Sequence, residues 1–274
     1  MGVFWVRIAT ILYAAGLADA LVTLFRRDAR LFGPAMAAFR VAVVLHGVAI
    51  VEQSVAVGGL AANNFFETAS LCGFVFSAVF LVVHWKYQFQ GLSLAVFPVV
   101  FFLTLTASLG TPGAGWASAE TRGALLLAHI SLVLAGYAGL LLSAAGAVSY
   151  LVQERRLKRK GFNVTASAIG GGKLPPLATL DRLVTISMSA GFVAITLAVV
   201  LGSIWAYIET GTRWIGEAKI IIGFVTWGFY LLMLILRMSA GWRGRRAALL
   251  SLVVVLFAAL TWAAHVGLRP LLER

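Results

Sequence analysis

Residues 123–151 read GALLLAHISLVLAGYAGLLLSAAGAVSYL, without one Asp, Glu, Lys or Arg. Crossing the hydrocarbon of a bilayer takes about 20 mainly apolar residues as a helix, because lipid offers backbone N–H and C=O groups no partner outside the helix itself. This run exceeds that length and gives way to the basic series Arg155, Arg156, Lys158, Arg159 and Lys160. Outward from it, comparable stretches recur at 3–25, 38–57, 66–84, 92–109, 183–208, 218–238 and 247–267. The pattern predicts an all-α fold, a polytopic membrane helix bundle of about eight transmembrane helices in one integral membrane domain, 1–274. The first stretch continues at spanning length to Arg26 and Arg27 instead of a small-residue cleavage site, so it counts as a helix and not as a signal peptide.

Composition agrees. Apolar residues make up 61% of the 274 and charged ones only 12%, against roughly 25% charged in soluble domains. A water-facing surface cannot be built from so few charges. The net charge of +12 does not point to nucleic acid, because Lys and Arg crowd into alternate loops, as the positive-inside rule expects of cytoplasmic ones. Arg26, Arg27, Arg30 and Arg40 follow the first span, Lys86 marks the next such loop, the series from Arg155 to Arg182 the third, and Arg237, Arg243, Arg245 and Arg246 the last. Both chain ends are thereby expected outside, and the basic loops are expected to touch anionic lipid head groups.

Only one connection is long, residues 152–182. It is basic at first, then contains Gly170-Gly171-Gly172 and Pro175-Pro176, and reads as a cytoplasmic linker between five spans and three, with a surface helix near 177–183. Asn163-Val164-Thr165 matches a glycosylation acceptor, which has no meaning on that side. The single cysteine, Cys72, lies within an apolar span and excludes chemistry that needs a thiol pair within the chain.

Ionisable groups inside spans cost at least about 2.5–3.5 kcal/mol at the bilayer centre, so each needs a reason. His46 lies near the middle of the second span, with Gln53 two turns on and Glu52 beside it. It is either a ligand or relay group, or a structural hydrogen-bond partner. His84 opens His84-Trp85-Lys86-Tyr87, a cluster typical of an interfacial anchor, and Arg7 and Asp19 are expected to pair within the bundle or face the interface. His129 lies within two turns of the outer end of the fifth span and His265 in the last turn of the eighth, with Trp262 one turn before it on the same face. Two imidazoles from separate helices at one depth can ligate a haem iron axially, or they can be two unrelated buried histidines bonded to neighbouring helices. If they are a pair, they should face a common outward cavity, with side chains within about 15 Å of each other given the 1.5 Å rise per residue and a roughly 30 Å core.

The loop after the sixth span holds Trp205, Tyr207, Glu209, Arg213, Trp214, Glu217 and Lys219. Flat aromatic side chains suit a planar ligand such as a porphyrin, and Arg213 and Lys219 suit its propionates. An interfacial aromatic belt with solvated charges has the same composition.

Residues 202–227, GSIWAYIETGTRWIGEAKIIIGFVTW, resemble the tryptophan-rich haem-handling motif and following helix of membrane cytochrome c assembly proteins of the CcsA and HemX type. Trp205-Ala206, Gly211, Trp214, Lys219 and Thr226-Trp227 fall on matching positions, with Glu217 where that family has Asp. The resemblance extends through Gly241-Trp242-Arg243-Gly244-Arg245, to His129-Ile130-Ser131 with Tyr137, and to His265, covering roughly residues 115–270. It implies an external haem site flanked by one histidine before the motif, His129, and one after it, His265. Thr210 and Gly216 stand where the full motif has tryptophan, Ile220 replaces an acidic residue, and the histidine expected in the helix after the motif is missing near Ile235. The likeness is therefore to the shorter HemX-like branch.

Two functions follow as expectations. One is a haem-handling protein of cytochrome c biogenesis that takes up haem transiently at the outer face of a bacterial cytoplasmic membrane. Its ligands would be His129 and His265 as axial residues, Trp205, Trp214 and Trp262 around the ring, Arg213, Lys219 and Glu217 at its edge, and His46 as a further candidate. Apocytochrome c or a ResB/CcsB-like membrane protein would be its partner. The other is a HemX-like regulator or assembly factor of tetrapyrrole metabolism, working through the basic linker at 155–160. A transporter is a third class, favoured weakly by Asp19, His46 and Glu52 but lacking an inverted repeat. No protease, hydrolase or P-loop signature is present, so enzymatic catalysis is not expected.

Overall fold

The computed structural model describes residues 2–26, 32–62, 65–87, 90–110, 124–160, 176–210 and 218–267. Among the described residues there are eight α-helices and no strand: α1 Gly2–Arg26, α2 Phe32–Val57, α3 Phe65–Tyr87, α4 Gln90–Ser108, α5 Ala124–Lys160, α6 Leu177–Thr210, α7 Ala218–Met238 and α8 Arg245–Gly267. Five contain stretches long and apolar enough to cross a membrane, Val3–Val22, Phe32–Val57, Phe66–Tyr87, Leu125–Arg155 and Leu177–Ile208, and α4 and α7 contribute the shorter apolar runs Ala95–Ser108 and Gly223–Met238. The protein is an all-α, polytopic membrane protein.

The helices match the apolar spans closely except at the start of α2, six residues earlier than the expected 38, and around the long connection. There α5 runs on to Lys160, about two and a half turns past the expected span end at 151, because its mainly polar extension is made of good helix formers with Glu154 and Lys158 paired at 2.7 Å across one turn. The surface helix expected near 177–183 is the beginning of α6 itself, which starts directly after Pro175-Pro176 with the Pro176 carbonyl accepting from Thr179 N–H at 2.9 Å. Asn163-Val164-Thr165 lies outside the described residues.

The chain divides into two compact units. The first comprises residues 1–117 and 151–179, the second 118–150 and 180–274. In the first, α1 packs on α2 and α4, and α3 on α4 and α2. Small residues let the backbones approach: Ala9, Ala35, Ala42 and Ala49 are fully buried, and a side chain on Gly16 would stand 3.2 Å from the Ala35 carbonyl oxygen. Around them Phe39 stacks on Phe97 with centroids 4.4 Å apart and meets Phe80 and Tyr13 edge-on. Arg7 directs its Nε at the Ser108 carbonyl, 3.5 Å away, a partner on α4 rather than an acidic side chain.

His84 is not the interfacial anchor that its neighbours suggest. It is buried, tilted against Phe32 and Phe80, whereas Trp85 is 81% exposed and Lys86 lies over the Tyr87 ring. The belt is thus built by the three residues after it.

In the second unit the core gathers Leu140 of α5, Met188 of α6, Tyr230, Met233 and Leu234 of α7, and Val254 and Ala258 of α8. Helices α5 and α6 cross at glycines: a Cβ on Gly139 would fall 2.9 Å from Gly191 Cα, and one on Gly191 would fall 2.6 Å from the Tyr230 hydroxyl. That hydroxyl donates to the Met188 carbonyl at 2.8 Å, and Trp227 Nε1 donates to Thr196 Oγ1 at 3.0 Å. Helices α5 and α8 run antiparallel, with the Ser143 and Ser251 hydroxyls 2.7 Å apart.

The turn from α7 to α8 explains its two glycines. Gly241 and Gly244 have φ of 63° and 64°, a left-handed conformation that costs other residues roughly 1–2 kcal/mol. The Trp242 N–H reaches back to the Leu236 carbonyl, closing the end of α7. Asp181 at the start of α6 ties the turn down: its Oδ1 accepts from Gly244 N–H at 3.1 Å, and its Oδ2 pairs with Arg237 Nη2 at 3.0 Å. Arg237 also donates to Thr185 Oγ1 and the Asp181 carbonyl.

Candidate functional site

At the end of the second unit opposite this turn stands His129, half-buried on α5. Its Nδ1 lies 2.7 Å from the Ala198 carbonyl oxygen on α6. A carbonyl only accepts, so Nδ1 carries the proton. Gly202, one turn further along α6, faces the same ring: a Cβ there would stand 2.6 Å from His129 Cε1 and 2.7 Å from Nδ1. Trp205 follows after another turn, half-buried, and by helical spacing continues the stripe of Ala198 and Gly202. The motif therefore begins at the residue against which the histidine rests.

His265 sits on α8, whose backbone is described to Gly267; its side chain, and those of Trp262 and Lys219, lie outside the described part. Arg213, Trp214 and Glu217 lie outside the described residues altogether. The expected separation of the two imidazoles, and the cavity they would share, thus concern side chains outside the described part. Their heights do not. His129 precedes Ser143 by fourteen residues on α5, and His265 follows Ser251 by the same fourteen on α8. On antiparallel helices both positions are carried in one direction, about 21 Å at 1.5 Å per residue. The presence of Leu140 and Val254 in one core cluster and the approach of Tyr150 to Gly244 agree with this register.

His46 belongs to the first unit and is completely buried. Its Nε2 is 2.8 Å from Ser70 Oγ, its Nδ1 3.5 Å from the Tyr13 hydroxyl, and Tyr13 in turn is 3.3 Å from Ser77, which donates to the Gly73 carbonyl. Both ring nitrogens are within reach of hydroxyl partners, the arrangement of a histidine that ties α1, α2 and α3 together. Among the described residues no three His, Cys, Asp or Glu side chains gather as a metal site.

Sequence reading missed Gly202 and Ala198 as site residues. A glycine inside a helix, where it costs about 1 kcal/mol relative to alanine, was the available signal; the backbone carbonyl of Ala198 leaves no trace in sequence.

Comparison with known proteins completes the picture. Residues 62–264 match the model of the family described as cytochrome C assembly protein. Among curated relatives, the cytochrome c biogenesis protein CcsA of Prochlorococcus marinus strain MIT 9312 is 35% identical over 145 residues, 47% of each chain. CcsA of Heterosigma akashiwo strain NIES-293 is 25% identical over 218 residues, 69% of this chain and 68% of its own. The matched region spans about half the length of the Prochlorococcus relatives. With the family match covering most of the chain, His129 inside it and His265 one residue beyond its end, the protein belongs to the cytochrome c assembly protein family.

Proposed function

We propose that the protein handles haem in cytochrome c biogenesis, holding or delivering it at the outer face of a bacterial cytoplasmic membrane, with His129 and His265 as axial ligands. The observation that carries this reading is the common height of the two positions above the Ser143 and Ser251 contact. The donor chemistry fits: with Nδ1–H engaged by the Ala198 carbonyl, the other nitrogen of His129 keeps its lone pair. Bound haem would supply an iron open to axial ligation and two propionates. Trp205, Trp214 and Trp262 would cover the ring, and Arg213 and Lys219 would pair with the propionates, Glu217 lying beside them. His46 is left out of the ligand set because of its hydroxyl partners. Apocytochrome c and a ResB/CcsB-like membrane protein are the corresponding partners, and anionic lipids the partners of the basic loops.

An absorption spectrum of the protein purified from haem-replete cells tests the reading. A Soret band is expected, reduced in His129→Ala and in His265→Ala and lost in the double variant. Protein that is haem-free throughout would sink it and favour the HemX-like regulator, for which the helical basic extension of α5 up to Lys160 offers a surface. Topology is tested separately: a reporter active only in the cytoplasm should work when fused after Lys160 and stay silent after Glu209. The reverse pattern would remove the outer site.

A further inference from the structure

We infer that Gly202 and the Ala198 carbonyl form a backbone seat that fixes His129 as its Nδ1–H tautomer and presents Nε2 as the ligating nitrogen; the ligating part rests on the haem reading above. In an α-helix the carbonyl of residue 198 accepts from the N–H of residue 202. Its second lone pair is reachable from a neighbouring helix only if nothing projects from residue 202. Glycine there leaves the opening, and the imidazole occupies it: the ring atoms Cε1 and Nδ1 stand 2.6 and 2.7 Å from where a Cβ would be, and Nε2 stands 3.4 Å away. Nδ1 then reaches the Ala198 oxygen at 2.7 Å. Ala198 is itself buried, so water does not compete for that oxygen.

The seat has two chemical consequences. It selects one of two tautomers, because a carbonyl accepts a proton bond and cannot donate one. It also binds the ring to α6, the helix from which the tryptophan-rich stretch continues, so ligand and motif share one support. Histidines that ligate metals commonly hold their second nitrogen this way, and loss of such a partner weakens metal binding about 10–100-fold. Gly202 is thus a positioning residue acting through His129.

The test begins with protein free of haem. Nitrogen-15 NMR of histidine-labelled protein in detergent at mildly alkaline pH, with His129 identified by its disappearance in His129→Gln, should show a protonated Nδ1 and an unprotonated Nε2. A protonated Nε2, or two tautomers in exchange, would overturn the seat whatever haem does. In Gly202→Ala the fixed tautomer should be lost and haem affinity should fall roughly tenfold or more; unchanged affinity with a displaced ring would refute the positioning role. If Gly202→Ala does not accumulate, the wild-type spectrum alone decides the tautomer. Should that spectrum be as expected while His129→Gln binds haem as tightly as wild type, the seat stands and the axial role of His129 falls.

Discussion

Gly191→Leu should leave little or no folded protein in the membrane. The site where a Cβ would begin is already occupied by the Tyr230 hydroxyl at 2.6 Å and the Gly136 carbonyl at 3.0 Å. Two of the obstacles to relief are backbone, since Gly139 Cα lies 3.4 Å from the same point, and moving Tyr230 aside would break its bond to the Met188 carbonyl. Overpacking of a core costs about 1–3 kcal/mol, and more where backbone must move, so at least about 3 kcal/mol is expected here. Thermal unfolding of detergent-solubilised protein checks it, with Gly223→Leu as control because a Cβ there meets nothing within 4 Å. Equal melting of the two variants would show that α5 and α6 do not cross as closely as the structure has them.

Arg237→Leu is the second large effect. The guanidinium is 6% exposed and its partner Asp181 22% exposed, at 3.0 Å. Removing one member of a fully buried pair costs about 3–5 kcal/mol, because the other charge is left stranded. The partial exposure of Asp181 lowers the expectation to about 2–3 kcal/mol. Adding Asp181→Asn to Arg237→Leu should recover most of it, since the amide oxygen can still accept from Gly244 N–H while the stranded charge is gone. A double variant no more stable than the single one would show that lost packing, not the unpaired carboxylate, is the cause.

The fold was largely legible because lipid enforces one rule: apolar length reads directly as helix. Hence α7 and α8 begin and end within a few residues of where their apolar runs do. The rule fails where helix continues into water, as α5 does past residue 151; there propensity and the bond between Glu154 and Lys158 govern, and apolar counting is blind to both. It also misjudges direction, since the position of His84 near a span end says nothing of whether its ring turns inward to Phe80. Of the candidate site the sequence offered residue types and their places along the helices, His129 and His265 above all. The site was not legible as contacts: the seat is a carbonyl and a missing side chain, and neither has a distinctive letter.

The serine pair between α5 and α8 works as an alignment mark. Within hydrocarbon, most of an apolar helix surface slides on its neighbour with little preference, and a hydroxyl pair at 2.7 Å is one of the few features with a single best setting. If α8 slipped by one residue, position 265 would travel about 1.5 Å along the axis and turn about 100° around it, at 3.6 residues per turn. That rotation would carry a ligand away from any partner fixed on α5. Two small side chains some 21 Å distant thus set the tolerance to which positions 129 and 265 can be brought to one height.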